Sequence, residues 1–476
     1  MSDSPLSSAR VHAFADDALG DLDALGVAAS IRSGDISARE ATEAAIARVE
    51  QVDPVLNAVV VRDFERALDQ ASSPGPGVFS GVPTVIKDNT DVAGLPTRHG
   101  AESVPARDAE ADAEFTAQLR STGVVVLGKS TMPEFGWNAS TEFENSPPTR
   151  NPWDPEYSSG ASSGGSAALV ASGALPIAHA NDGGGSIRIP AAACGLVGLK
   201  PTRGRVAEAA EAASLPINIL SNGVVTRTVR DTAHFLAGAE AFHPASDLPL
   251  VGLVEGASDR RLQIGLVLDS VTDTPTDDET RTAVQDTALL LEKLGHTVVE
   301  VPVAVTKKFL GDFTHYWAML AFSTHHFGGR VIAPGFDKSR SDPLTRYLAG
   351  RFARQAWRTP SALIGLKRSE ALYRRAIAEL GVDLVLSPTL GHTTPQLGHL
   401  SPTVEFPEMF DRLVRYVAFT PLNNAAGSPA ISLPLGTTSG GLPIGVHFSA
   451  LHGDERTLLE IAYELEDARP FARIQD

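Results

Sequence analysis

Residues 160–200 read "GASSGGSAALVASGALPIAHANDGGGSIRIPAAACGLVGLK". The small residues from Gly164 onward, "GGSAALVAS", suit an apolar helix, while "LPIAHA" and "GLVGLK" are short apolar runs that suit strands buried on both faces. Between those runs, "DGGGS" sets three glycines before one hydroxyl. Lacking Cβ atoms, Gly183, Gly184 and Gly185 can turn their backbone N–H groups toward one point and approach a bound group closely, with Ser186 at the exit. Taken alone, the same letters also describe a glycine-rich turn ending in a serine N-cap.

Upstream, "VPTVIKDN" and "GVVVLG" read as strands with the helix "AEFTAQLRST" between them, after a strand "NAVVV" and a helix "RDFERALDQAS". A helical pair spans 24–51, where Ser37 and Glu40 form a capping box and "VDP" ends the second helix. Downstream, residues 235–380 read as mostly helical, including the aromatic stretch "KKFLGDFTHYWAMLAFSTHHF". Strands return over 382–450 in "VDLVLSPT" and "PAISLPLGTTSGGLPIGVHFSA", followed by an amphipathic helix from Asp454. Strands at both ends with helices between predict an α/β fold with one sheet assembled from distant segments. No internal repeat or long linker divides residues 1–476, so a single domain is expected.

The 476 residues are 43% hydrophobic and carry a net charge of −17, enough apolar content for a large core and no run of Lys or Arg to attract nucleic acid. The stretch 1–26 lacks a leader pattern, and no apolar run approaches the roughly 18 residues needed to cross a bilayer. A cytoplasmic protein with neither nucleic-acid nor membrane partners is expected. The one cysteine, Cys194, allows neither an internal disulfide nor a cysteine metal cluster, and its apolar surroundings suit packing better than reactivity.

Two motif matches fail on context. "GVVVLGKS" (123–130) fits the P-loop expression, but its central Val-Val-Val-Leu reads as the strand itself rather than as a loop after one. "GASSG" (160–164) fits the nucleophile elbow of α/β-hydrolases, but the turn-rich "TRNPWDPEYSS" stands where that elbow needs a strand. Neither His325 and His326 nor His392 and His399 have metal-ligand spacing.

Acyl transfer needs a nucleophile, a base and donors for the oxyanion. "DGGGS" offers the first and third. A lysine can be the base when burial keeps it neutral, and Lys87 ends the apolar run "VPTVI". Neutrality near pH 7 requires lowering its pKa by roughly three units from about 10.4. A serine of "SSGASSGGS" can pass a proton between Ser186 and Lys87. Read alone, Lys87 is an ordinary strand-end lysine.

Together, "GVPTVIKDN", "GASSGGSAALVASGALPIAHANDGGGSIRIPAAACGLVGLKPT" and "GSPAISLPLGTTSGGLPIGV" resemble the amidase signature family in order and spacing. The resemblance is dense over 81–231, the catalytic core it implies, and over 382–450. It implies a large central mixed sheet covered by helices on both faces. It also implies Ser186 as nucleophile, Lys87 as base, and Ser162, after a cis peptide bond, as the bridging serine. The backbone N–H groups of Gly183, Gly184, Gly185 and Ser186 would form the oxyanion hole. Two letters depart from the usual pattern, Ala161 before the serine pair and Asn181 before Asp182, and neither belongs to that triad.

The implied activity is hydrolysis of aliphatic or aryl carboxylic acid amides through a seryl acyl-enzyme, with esters as further substrates and no metal or organic cofactor. The partner is a small amide, and a homodimer is compatible. The glutaminase subunit of the tRNA-dependent amidotransferase is a rival of the same class. That subunit continues "KPT" with an aromatic and a "GRVS"-like run, whereas this chain has Arg203 and then "VAEAAEAA". A binding protein on a retired hydrolase fold is the non-enzymatic alternative. The aromatics Phe135, Trp137, Phe313, Tyr316, Trp317 and Phe322 are candidates for an acyl pocket or for core.

Overall fold

Eleven strands form among the described residues, 10–476, of the computed structural model. β1 (Val59–Arg62), β2 (Pro83–Lys87) and β3 (Val125–Ser130) make a three-stranded sheet in the order β1-β3-β2, with β1 antiparallel and β2 parallel to β3. The other eight are β4 (Ile177–Asp182), β5 (Val197–Lys200), β6 (Ser221–Thr226), β7 (Gln263–Leu266), β8 (Thr297–Glu300), β9 (Leu384–Pro388), β10 (Ala430–Thr437) and β11 (Pro443–Ser449). They form a mixed sheet in the order β4-β6-β5-β10-β11-β9-β7-β8, in which β7 runs parallel to β8 and β9 and every other pair is antiparallel. The α/β class and the mixed sheet agree with the sequence.

Three expectations need correction. The single sheet is interrupted between β2 and β4, where Thr84 Oγ1 donates to Ile177 O (2.9 Å) and Lys87 N donates to Nδ1 of His179 (3.2 Å). Side chains there take the place of a backbone ladder. Second, the segment 235–380 contains β7 and β8 as well as helices. Third, the helix begun by the Ser37–Glu40 capping box runs Ala38–Leu56, through Pro54. Pro54 sits in the last turn, so only one ladder bond is lost, and Asn57 closes the helix at φ +50° with its N–H on Asp53 O (2.8 Å).

Close approach fixes how helices cover the large sheet. A Cβ on Gly436 would lie 2.5 Å from Ala283 Cβ, in the helix Asp278–Lys293, and 3.1 Å from Ile444 Cβ, its partner across the ladder. Gly445 follows Ile444 and therefore faces the other side of the sheet. A Cβ there would meet Ala192 Cβ, in the helix Arg188–Cys194, at 2.3 Å. One helix thus lies on each face, and the second carries the "DGGGS" turn at its start. The first nine residues of the stretch read for a leader pattern lie outside the described residues. No helix among the described residues is long and apolar enough to cross a membrane.

Candidate active site

Lys87 ends β2 fully buried, and β4 runs beside it. Side chains alternate along a strand, so His179 and Asn181 point the same way, and both meet Lys87. The backbone N of Lys87 donates to His179, while its Nζ donates to Asn181 Oδ1 at 2.6 Å. Ser162 Oγ lies 2.7 Å from the same Nζ. A cis peptide joins Ala161 to Ser162, just before the helix Gly164–Ala171. Burial lowers the Lys87 pKa to about 7, against a smaller opposing pull from the Asp182 carboxylate. Burial, with Lys87 close by, also lowers His179 to about 3, so its ring is neutral and Nδ1 is free to accept.

Asp182 ends β4 on the opposite side from Asn181 and organises the glycine turn. Burial alone would raise its pKa, but Arg188 and its other partners hold it well below the usual carboxylate range. Its two oxygens accept from Arg188 Nε (2.9 Å) and Nη2 (3.0 Å), from the backbone N of Gly185 (2.7 Å) and Ile187 (3.2 Å), and from Asn424 Nδ2 (2.8 Å). Arg188 also donates to Thr420 O (3.0 Å) and Asn424 Oδ1 (2.8 Å) and lies 3.0 Å from His447 Nε2. The turn is therefore clamped to a segment more than two hundred residues away in sequence.

That clamp changes the reading of Gly185. Its φ is +134°, and a Cβ would meet Thr420 Oγ1 at 2.4 Å, so glycine is required there. Its N–H, expected among the oxyanion donors, is instead taken by the Asp182 carboxylate. Gly183, Gly184 and Ser186 line a cavity of about 1030 Å³ together with Ser162 and Asn181. Ser186 is half-buried, and among the described residues no hydrogen bond joins it to Ser162. It is not the N-cap of the following helix, a position held by Ile187.

Four of the six aromatics singled out from the sequence, Phe135, Trp137, Phe313 and Trp317, line this cavity. Tyr316 is core, its hydroxyl donating to Ile217 O at 2.6 Å, and Phe322 packs on Phe352 with ring centroids 5.0 Å apart. Lys129 of the P-loop match lies inside β3, donating to Pro96 O (3.0 Å) and Thr97 Oγ1 (2.6 Å). Cys194 is buried and its thiol pKa is pushed up, as a packing residue's would be. No cluster of three or more His, Cys, Asp or Glu side chains suited to a metal occurs among the described residues.

An amine held near neutrality against one serine, in a cavity that a second serine lines beside a glycine turn, has the parts for a proton relay to a hydroxyl. Reading the sequence alone left His179, Asn181, Asp182 and Arg188 without roles. The signal was present for the first two: polar residues two apart in an otherwise apolar buried strand share one face and need partners there.

The amidase family profile matches residues 40–459, and the chain belongs to that family of amide hydrolases. The Mycobacterium leprae "Putative amidase AmiC" is 48% identical over 98% of this chain and 99% of its own. Among solved structures, 6-aminohexanoate cyclic dimer hydrolase complexed with substrate superposes with a TM-score of 0.85 at 32% identity, covering 95% of this chain and 98% of that one. A bacterial aryl acylamidase of the amidase signature family superposes at 0.83 with 26% identity, covering 94% and 96%.

Proposed function

We propose that this chain hydrolyses carboxamides through a seryl acyl-enzyme, with Ser186 as nucleophile, Ser162 as relay and Lys87 as base. The observation carrying this reading is the 2.7 Å contact between Lys87 Nζ and Ser162 Oγ, at the edge of the cavity that Ser186 lines. Neutral Lys87 takes the Ser162 proton, Ser162 takes that of Ser186, and Ser186 Oγ attacks the amide carbon. Backbone N–H groups of Gly183, Gly184 and Ser186 stabilise the oxyanion. Ser162 then protonates the leaving amine, and water repeats the sequence to release the acid. No metal or organic cofactor takes part.

Phe135, Trp137, Phe313 and Trp317 favour an aliphatic or aryl acyl group, and linear amides of monocarboxylic acids are the proposed substrates. Esters enter by the same acyl-enzyme. The cyclic dimer hydrolase relative favours, as a second reading, a cyclic amide opened by the same steps. Ser186→Ala should lower kcat by about 10³-fold or more, while EDTA leaves the wild type active. Turnover at the wild-type rate in Ser186→Ala would overturn the mechanism.

A further inference from the structure

The helices Thr359–Lys367 and Ser369–Leu380 are separated only by Arg368, which keeps a helical backbone, so they run almost as one. Their inner face buries Ala362, Leu366, Tyr373 and Ile377. The outer face is also apolar in part. Ile364 is 53% and Leu372 57% exposed, eight residues apart and so about 80° apart around a helix of 3.6 residues per turn, both on its outer half, and Trp357, just before the first helix, is 80% exposed.

Charge sets this face apart from the rest of the molecule. The two helices, with Arg368 between them, hold four cations (Lys367, Arg368, Arg374, Arg375) and two anions (Glu370, Glu379), and the segment 343–358 before them adds four cations (Arg346, Arg351, Arg354, Arg358) and no anion, in a chain with 40 cations and 57 anions. Arg354, Lys367, Arg368 and Arg374 are exposed and make no ion pair among the described residues. Charges beyond a Debye length of roughly 8 Å are largely screened, so the net charge of −17 does not cancel a local cationic face.

We propose that this face docks on an anionic lipid bilayer, with Trp357, Ile364 and Leu372 entering the interface and the surrounding Arg and Lys side chains meeting the head groups. A partly apolar helix surface next to an exposed tryptophan, with cations outnumbering anions around it, is the chemistry that interfacial segments present to acidic lipid. A folded acidic protein would satisfy the cations but would not require three exposed apolar side chains on this side of the molecule. Lying on a bilayer needs no spanning segment, so the absence of an apolar run from the sequence is compatible with it. The docked layer packs on the helix Lys307–Val331, whose Leu310, Phe313 and Trp317 line the cavity, so it sits one helix away from the site.

The full-length protein should sediment with vesicles of phosphatidylglycerol and phosphatidylcholine in equal parts, but not with pure phosphatidylcholine. Binding should fall at least about tenfold when salt is raised to about 0.5 M. It should fall similarly in Trp357→Ser/Ile364→Ser/Leu372→Ser and, separately, in Arg354→Glu/Arg368→Glu. These variants remove no buried side chain and should keep the wild-type melting temperature. Brominated lipid should quench tryptophan emission in the wild type but not in Trp357→Phe, a readout that works whether or not Ser186 is catalytic. Absence of binding to the anionic vesicles, equal binding by the variants, or a dimer in solution that the triple variant dissociates would each overturn the proposal.

Discussion

The ammonium of Lys87 has lost its water, and its two side-chain partners decide where its proton rests. Asn181 Oδ1 can only accept, so one N–H of Lys87 is always engaged there, and the remaining contact, to Ser162, can run in either direction. In the neutral amine the lone pair accepts from Ser162, and in the ammonium Lys87 donates to it. With the Lys87 pKa lowered to about 7, the competent neutral form grows as pH rises. Under the proposed mechanism kcat/KM should therefore climb about tenfold per unit below pH 7 and level off above it. Asn181→Asp would set a carboxylate against the same amine and favour the ammonium. The midpoint of the profile should then move upward by about one unit or more, with activity recovering at alkaline pH. A profile unmoved by Asn181→Asp would mean that Lys87 is not the titrating base.

Elements position this pair through contacts that a one-dimensional pattern only partly reveals. β2, β3, β4 and the β10–β11 hairpin are visible in the sequence because each is a short apolar run bounded by turn residues. β7 and β8 are not: "QIGL" and "TVVE" are four residues each, and β7 is completed by β9, more than a hundred residues downstream. The residues of the proposed site are legible because serine, lysine and glycine carry their chemistry in their type. Asp182 and Arg188 are less so, since their part is to hold a turn against Thr420 and Asn424, and only the folded chain brings those segments together. The break between the two sheets is equally hidden, because it rests on side chains of Thr84 and His179. The helix Arg188–Cys194 can hold the turn only while it lies close on β11, which makes Gly445 the position to test. In Gly445→Ala the new methyl would overlap Ala192 Cβ and approach Ser432 Oγ to 2.7 Å. Overpacking of this kind costs about 1–3 kcal/mol, measurable by urea denaturation. Pairing it with Ala192→Gly should restore much of the loss, whereas strictly additive penalties would show that the two sites do not touch.

Across the whole molecule, buried titratable groups tie distant segments together and make stability depend on pH. Glu134 adjoins the cavity-lining Phe135, and its Oε1 accepts from Asp342 N (2.9 Å) and Thr345 Oγ1 (2.6 Å), at the start of the helix Pro343–Gln355. Burial first, and then the nearby Asp342 carboxylate, raise the Glu134 pKa to about 8 from 4.5, with Arg346 opposing weakly. Asp342 is itself raised to about 6 by burial. A carboxyl whose pKa is higher in the folded state binds more protons there. Its contribution is fully present below pH 4.5 and is lost as pH rises through about 8. Asp231 and Glu466, both raised to about 7, act in the same direction. The buried Lys87 and Lys200, both lowered to about 7, remain charged in both states below that pH and change stability only above it. Between pH 5 and 7 the raised carboxyls therefore act without opposition from the lysines. Glu134→Gln keeps an acceptor for Asp342 N and Thr345 Oγ1 and removes the titration. Relative to this variant, the wild type should lose melting temperature as pH rises from 5 to 8, by on the order of a few °C. The difference should be smallest in acid. A gap between the two melting curves that stays constant across that range would show that Glu134 is ionised in the folded protein throughout, its burial offset by partners other than Thr345 and the Asp342 amide.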